Sequence, residues 1–116
     1  MTSGLSAGMP DIAVQPSEWM IVRDILHRHL PGCEIWAFGS RAKHAAKPYS
    51  DLDLVIVTSV PLPLDVHAAL VDDFSESDLP WKVDIVDWAV TSGTFRDVVM
   101  RDKVVVQRPA THAEPY

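Results

Sequence analysis

Two aspartates one residue apart, Asp51 and Asp53, open the run Asp-Leu-Asp-Leu-Val-Ile-Val and carry the most informative chemistry in the chain. Asp is depleted in strands, yet Leu54–Val57 has the apolar continuity of buried sheet. Side chains two apart on a strand leave the same face, so both carboxylates would project together, with Cα atoms roughly 7 Å apart. Like charges about 6 Å apart repel by roughly 3 kcal/mol at an effective dielectric of 20, and by under about 1 kcal/mol in bulk water. A divalent cation turns that repulsion into ligation, and Mg2+ commonly takes one or two carboxylates plus substrate phosphates. The competing reading is plainer: Ser50-Asp51 forms a turn and Asp53 lies on a wet face.

The residues upstream favour the cation. Ile35–Phe38 is a short apolar run that stops at Gly39-Ser40, and ten residues intervene before Asp51. Gly39 lets the chain turn sharply without a Cβ penalty. Ser40 stands where a helix can begin, and backbone N–H groups at a helix N-terminus seat phosphate. Arg41, Lys43 and Lys47 add positive charge along the same linker. A phosphate cradle beside a carboxylate pair fits a nucleoside triphosphate with Mg2+. No G-x-x-x-x-G-K-[ST] and no G-x-G-x-x-G occurs, which removes the P-loop and dinucleotide alternatives. Ser40 has no matched His and Asp at a hydrolase elbow. His44 either touches a phosphate or is a solvated loop residue.

Gly39-Ser40, ten residues, then Asp51-Leu52-Asp53 resembles the signature of the DNA polymerase beta-like nucleotidyltransferase superfamily, and more narrowly its minimal nucleotidyltransferase (MNT) branch, over about Val14 to Arg108. The resemblance implies a third catalytic carboxylate on the strand beside the Asp-x-Asp strand, in an apolar-Asp-apolar setting. Asp84, between Val83 and Ile85, matches. Asp87 competes, but it falls at the strand end on the opposite face, where capping the next turn would explain it. By resemblance, Asp51, Asp53 and Asp84 hold two Mg2+ ions, while Gly39 and Ser40 hold the β- and γ-phosphates, with Arg41 and Lys43 neutralising them. The implied reaction moves a nucleoside monophosphate onto a hydroxyl and releases pyrophosphate. The chain departs from the family in its linker, where Lys43-His44-Ala45-Ala46-Lys47 replaces a Gly-containing basic stretch.

MNT proteins resemble one half of a toxin–antitoxin pair whose other half is an all-helical HEPN-domain ribonuclease. The implied activity is adenylylation of a tyrosine hydroxyl on that toxin, with ATP and Mg2+. Larger relatives append a helical domain for base or acceptor, and nothing after Arg108 is expected to serve that role, so a partner is expected to present the acceptor. Two other functions stay open at this point. The chain could neutralise a HEPN partner by binding alone, or it could transfer a nucleotide to a small molecule.

These residues need elements to hold them. Val22, Ile25, Leu26 and Leu30 follow helical spacing, which predicts a first helix over Glu18–His29 with Ser17 as N-cap and Pro31-Gly32 as its stop. His27 and His29, two apart, point to different sides and suit surface positions better than a shared metal. Strands follow at Ile35–Phe38 and Asp51–Val57. Asp65 is expected to cap a second helix with Val66, Ala69, Leu70 and Phe74 on one stripe. Trp81–Trp88 is the third strand, Thr91–Arg101 a third helix packing through Phe95, Val98 and Val99, and Val104–Val106 a short edge strand. The order α-β-β-α-β-α-β gives an α+β single domain with a small mixed β-sheet and helices largely on one face.

Composition agrees with one domain. At 116 residues the chain matches a single domain, read as a leader over 1–13, a body over 14–108 and a tail over 109–116. A net charge of −6 argues against direct nucleic-acid binding. No apolar run reaches the length of a membrane span. One cysteine, Cys33, excludes an internal disulfide and fits a reducing cytoplasm. Four tryptophans in so small a chain suggest that one beyond the core faces a partner; Trp36 is expected to be core, with Trp19, Trp81 and Trp88 at element ends.

Overall fold

The run that follows Asp51 forms the strand Leu52–Val57 (β2), and its apolar character on both sides requires cover on both sides. A computed structural model describing residues 9–109 shows how that cover is supplied. The chain runs α1 (Pro16–His29), β1 (Glu34–Phe38), β2, α2 (Leu64–Ser75), β3 (Val83–Asp87), a 3-10 turn (Trp88–Val90), α3 (Gly93–Asp102) and β4 (Val104–Gln107). The sheet order is β3-β2-β1-β4, with β1 antiparallel to both β2 and β4 and β2 parallel to β3. Parallel neighbours require a crossover, and α2 provides it.

Alternation along the strands sorts the core into two layers. Ile35, Ala37, Leu52, Leu54 and Ile56 join Trp19, Val22, Ile25 and Leu26 of α1 and Leu70 and Phe74 of α2 on one face. Trp36, Phe38 and Val55 meet Val99 and Phe95 of α3 and Trp88 on the other. Two of the three helices thus share a face. Edge-to-face rings, Trp36 on Trp88 at 5.2 Å and Phe38 on Phe95 at 5.5 Å, tie α3 and the 3-10 turn to the sheet.

The expected elements all form, with shifted ends. α1 begins at Pro16 rather than Glu18, so Ser17 lies inside the first turn and Gln15 is the cap. Proline suits the first helical position because its missing N–H would have no partner there, and Glu18 Oε1 accepts the Gln15 N–H at 2.8 Å. α2 starts at Leu64 after Pro63, leaving Asp65 in its first turn rather than at the cap. Its buried stripe is Leu70 and Phe74; Ala69 is exposed. In α3, Val99 is buried while Val98 is 37% exposed, and the helix starts at Gly93 instead of Thr91. β3 is shorter than expected: Trp81 and Lys82 lead into it and Trp88 turns away from it.

The folded body also reaches ahead of Val14. Ile12 is 4% exposed within the main core, and Met9 packs against it. The remaining leader residues 1–8 and the tail from 110 onward lie outside the described residues. Trp19, Trp36 and Trp81 are buried, which leaves Trp88 as the partly exposed tryptophan.

Candidate active site

The pairing of the strands decides which acids can meet. β2 and β3 run parallel with Asp53 beside Asp84, and β1 ends with Phe38 opposite Asp53. Asp53 and Asp84 therefore leave the same face, the one that carries Val55, Val86 and α3. Asp87, three residues beyond Asp84, points to the opposite face, where its Oδ2 accepts the Leu62 N–H at 3.4 Å. Its Oδ1 is buried without a partner. Asp51 precedes the strand instead of opening it, still close enough for its charge to act on Asp53.

Electrostatics report how closely the acids converge. The Asp53 carboxyl is pushed up to about 6 from 3.8, first by burial, then by the charge of Asp84 and a hydrogen bond to it, and last by the charge of Asp51. Removal from water disfavours the charged form, and neighbouring carboxylates disfavour it further. Among the described residues, no three His, Cys, Asp or Glu side chains already have their donors gathered as a metal cage. What exists is a carboxyl pair in contact with a third acid in charge range, an all-oxygen donor set that suits Mg2+. Its crowding is the kind that a bound cation relieves.

Gly39 follows β1 with φ at 78°, a conformation that favours glycine. A Cβ built there would collide with the Asp53 carboxylate, so the glycine is required by both the turn and the close approach. Ser40 does not begin a helix. Residues 40–44 form consecutive turns, with the Ala42 and Lys43 N–H groups both donating to the Gly39 carbonyl at 3.1 Å. Lys43 is exposed, its Nζ 3.8 Å from Asp102 at the end of α3. His44 is an exposed residue at φ 56° that meets Asp11 Oδ1 at 2.8 Å. It lies in the linker stretch that departs from the family's Gly-containing one.

Arg41, expected beside the phosphates, turns inward. Its side chain is 5% exposed, its donors go to backbone carbonyls, and its guanidinium lies 4.5 Å from the centre of the Trp81 ring. Most of its N–H donors are thus taken up by the chain's own backbone. Nothing in the residue type foretold this, since Arg after Gly-Ser reads equally well as a phosphate ligand or a clamp.

The description Nucleotidyltransferase domain matches residues 20–110 of this sequence. A probable protein adenylyltransferase MntA of Haemophilus influenzae is 48% identical over 94 residues, spanning 81% of this chain and 82% of that protein. The chain belongs to the nucleotidyltransferase domain family, in its minimal, MntA-type branch. Solved structures give this nucleotidyltransferase the same fold at lower identity. A chain of a toxin–antitoxin crystallised with AMP-PNP superposes with a TM-score of 0.66 at 19% identity, covering 79% of this chain and 74% of that one. A chain from the complex of tri-AMPylated Shewanella oneidensis HEPN toxin with MNT antitoxin gives 0.62 at 19%, covering 82% and 73%. No helix among the described residues of the nucleotidyltransferase is long and apolar enough to cross a membrane.

Proposed function

We propose that this nucleotidyltransferase moves AMP from ATP onto a hydroxyl, that of a tyrosine, on a HEPN-domain toxin, and so acts as its antitoxin in the cytoplasm. The observation that carries the reading is the contact of Asp53 with Asp84 across the parallel β2–β3 pair, with Asp51 in charge range and the Gly39 turn pressed against Asp53. The 48% identity to a probable protein adenylyltransferase supports protein as the acceptor class.

Each step has a place in the chain. The acceptor oxygen bonds to the α-phosphorus, the bond to the pyrophosphate oxygen breaks, and the hydroxyl proton is released. Asp51, Asp53 and Asp84 would hold two Mg2+ ions, which when bound neutralise the triphosphate and lower the pKa of the attacking hydroxyl. Gly39 keeps the backbone close enough to Asp53 that phosphates seated on the Gly39-Ser40 turn lie beside the acids. Lys43, exposed on the linker, adds positive charge next to the triphosphate.

The test uses labelled ATP, Mg2+ and the purified HEPN-domain partner. Label transfer is expected for the wild type and its loss for Asp53→Ala. Equal labelling by both would end the enzymatic claim. If Asp51→Ala/Asp53→Ala still rescued growth fully against the toxin, antitoxin action would rest on binding alone.

A further inference from the structure

Arg41 is the buried charged side chain of the described residues, and its contacts converge on the segment that delivers Asp51. Its Nε donates to the Ser50 carbonyl at 2.8 Å, directly before that aspartate. One terminal nitrogen donates to the Pro48 carbonyl at 3.1 Å and the Lys47 carbonyl at 3.4 Å. The other donates to the Ala13 carbonyl at 2.6 Å, while the Ala13 N–H returns a bond to the Arg41 carbonyl at 2.8 Å. The turn being gripped is closed from within, since the Lys47 N–H donates to Ser50 Oγ at 2.9 Å and the Ser50 N–H to the Lys47 carbonyl at 3.0 Å.

The other side of the guanidinium rests on Trp81, three residues before Asp84. Next to Trp81, the Lys82 carbonyl accepts the Leu52 N–H at 2.9 Å and joins the two acid-bearing segments where their strands begin. One planar group therefore braces the approach to Asp51 against the approach to Asp84. Burial holds the guanidinium below the ordinary arginine value, and the charges of Glu18 and then Asp51 offset part of that.

On the reading that the chain is a Mg2+-dependent nucleotidyltransferase, we infer that Arg41 is a positioning residue that fixes Asp51 for cation binding, and not a ligand of the triphosphate. Lysine keeps the charge but lacks the planar fork that serves several carbonyls at once. Arg41→Lys should then lower cation affinity by about tenfold or more, the scale seen when a group supporting a metal ligand is lost.

The experiment measures Mn2+ binding by electron paramagnetic resonance in the wild type, Arg41→Lys and Asp53→Asn, and inorganic triphosphate binding by calorimetry without metal. Weakened Mn2+ binding by Arg41→Lys with triphosphate binding unchanged is the expected result. Intact Mn2+ binding overturns the inference, whether triphosphate binding falls or holds. If the wild type binds Mn2+ no better than Asp53→Asn, the nucleotidyltransferase reading itself fails and takes this inference with it. A wild-type measurement decides the matter even where Arg41→Lys does not fold. The Arg41 Nε–H resonance should exchange slowly and stay in place on adding triphosphate, and a large shift would overturn the assignment.

Discussion

Replacing Asp53 with asparagine should stabilise the metal-free protein while abolishing transfer. The Asp53 carboxyl rises from 3.8 to about 6 on folding. The folded chain therefore holds a proton there, between about pH 4 and pH 6, that the unfolded chain has released. Stability consequently falls as pH rises through that window, and the penalty is complete above it. A shift of about two units corresponds to about 3 kcal/mol at most. Asp53 is only partly buried, and solvent screening reduces the figure to about 1–2 kcal/mol. For a domain near 100 residues, Asp53→Asn should raise Tm by about 5–10 °C in EDTA at pH 7.5. The gain should shrink to nothing below about pH 4, where the aspartate is protonated in both states. Thermal unfolding followed by circular dichroism across that range is the assay. Equal Tm values at pH 7.5 would mean that Asp53 and Asp84 do not crowd each other, and the argument for a cation between them would fail.

Three further outcomes test the same geometry. Gly39→Ala meets both a positive φ and the Asp53 carboxylate, so it should lose about 1–3 kcal/mol in denaturant unfolding and most of its transfer activity. Asp84→Asn should abolish AMP transfer while Asp87→Asn keeps it within a few-fold, because Asp87 projects from the other sheet face; the reverse pattern in a labelled-ATP assay would reassign the third acid. ATP with Mg2+ at about a hundred times its dissociation constant should stabilise the wild type by about 2.7 kcal/mol, an effect that EDTA removes; no shift in Tm would deny the site its ligand.

How far the sequence discloses this site depends on what each residue must satisfy. Asp51 and Asp53 stand out in the sequence because carboxylates beside Leu, Val and Ile conflict with their surroundings unless a ligand resolves the conflict, whereas Asp84 is singled out by the family resemblance, with period-2 alternation giving its direction. The same alternation separated Asp84 from Asp87 before any pairing was known. Helix starts were less legible: Ser17 and Asp65 are better caps by type than Gln15 and Pro63, but Pro16 and Pro63 restrict the backbone before side-chain capping can choose. Ile12 was missed because a single apolar residue in a polar leader has no periodicity, and its burial depends on the space left beside α1.

Arg41 marks a different limit. A cation in a loop can turn outward to an anion or inward to carbonyls, and its neighbours in sequence are the same in either case. The deciding groups, the Ala13 carbonyl and the Trp81 ring, lie 28 residues upstream and 40 downstream. Once the fold brings them together, turning inward satisfies carbonyls of a loop that no strand pairs, and turning outward would leave them bare. The basic linker thus divides by burial: Lys43 remains exposed, while Arg41 is buried against the carbonyls of the loop that leads to Asp51. Positive charge beside a phosphate site is therefore no sufficient sign of a phosphate ligand; the count of carbonyls within reach of the guanidinium separates the two roles.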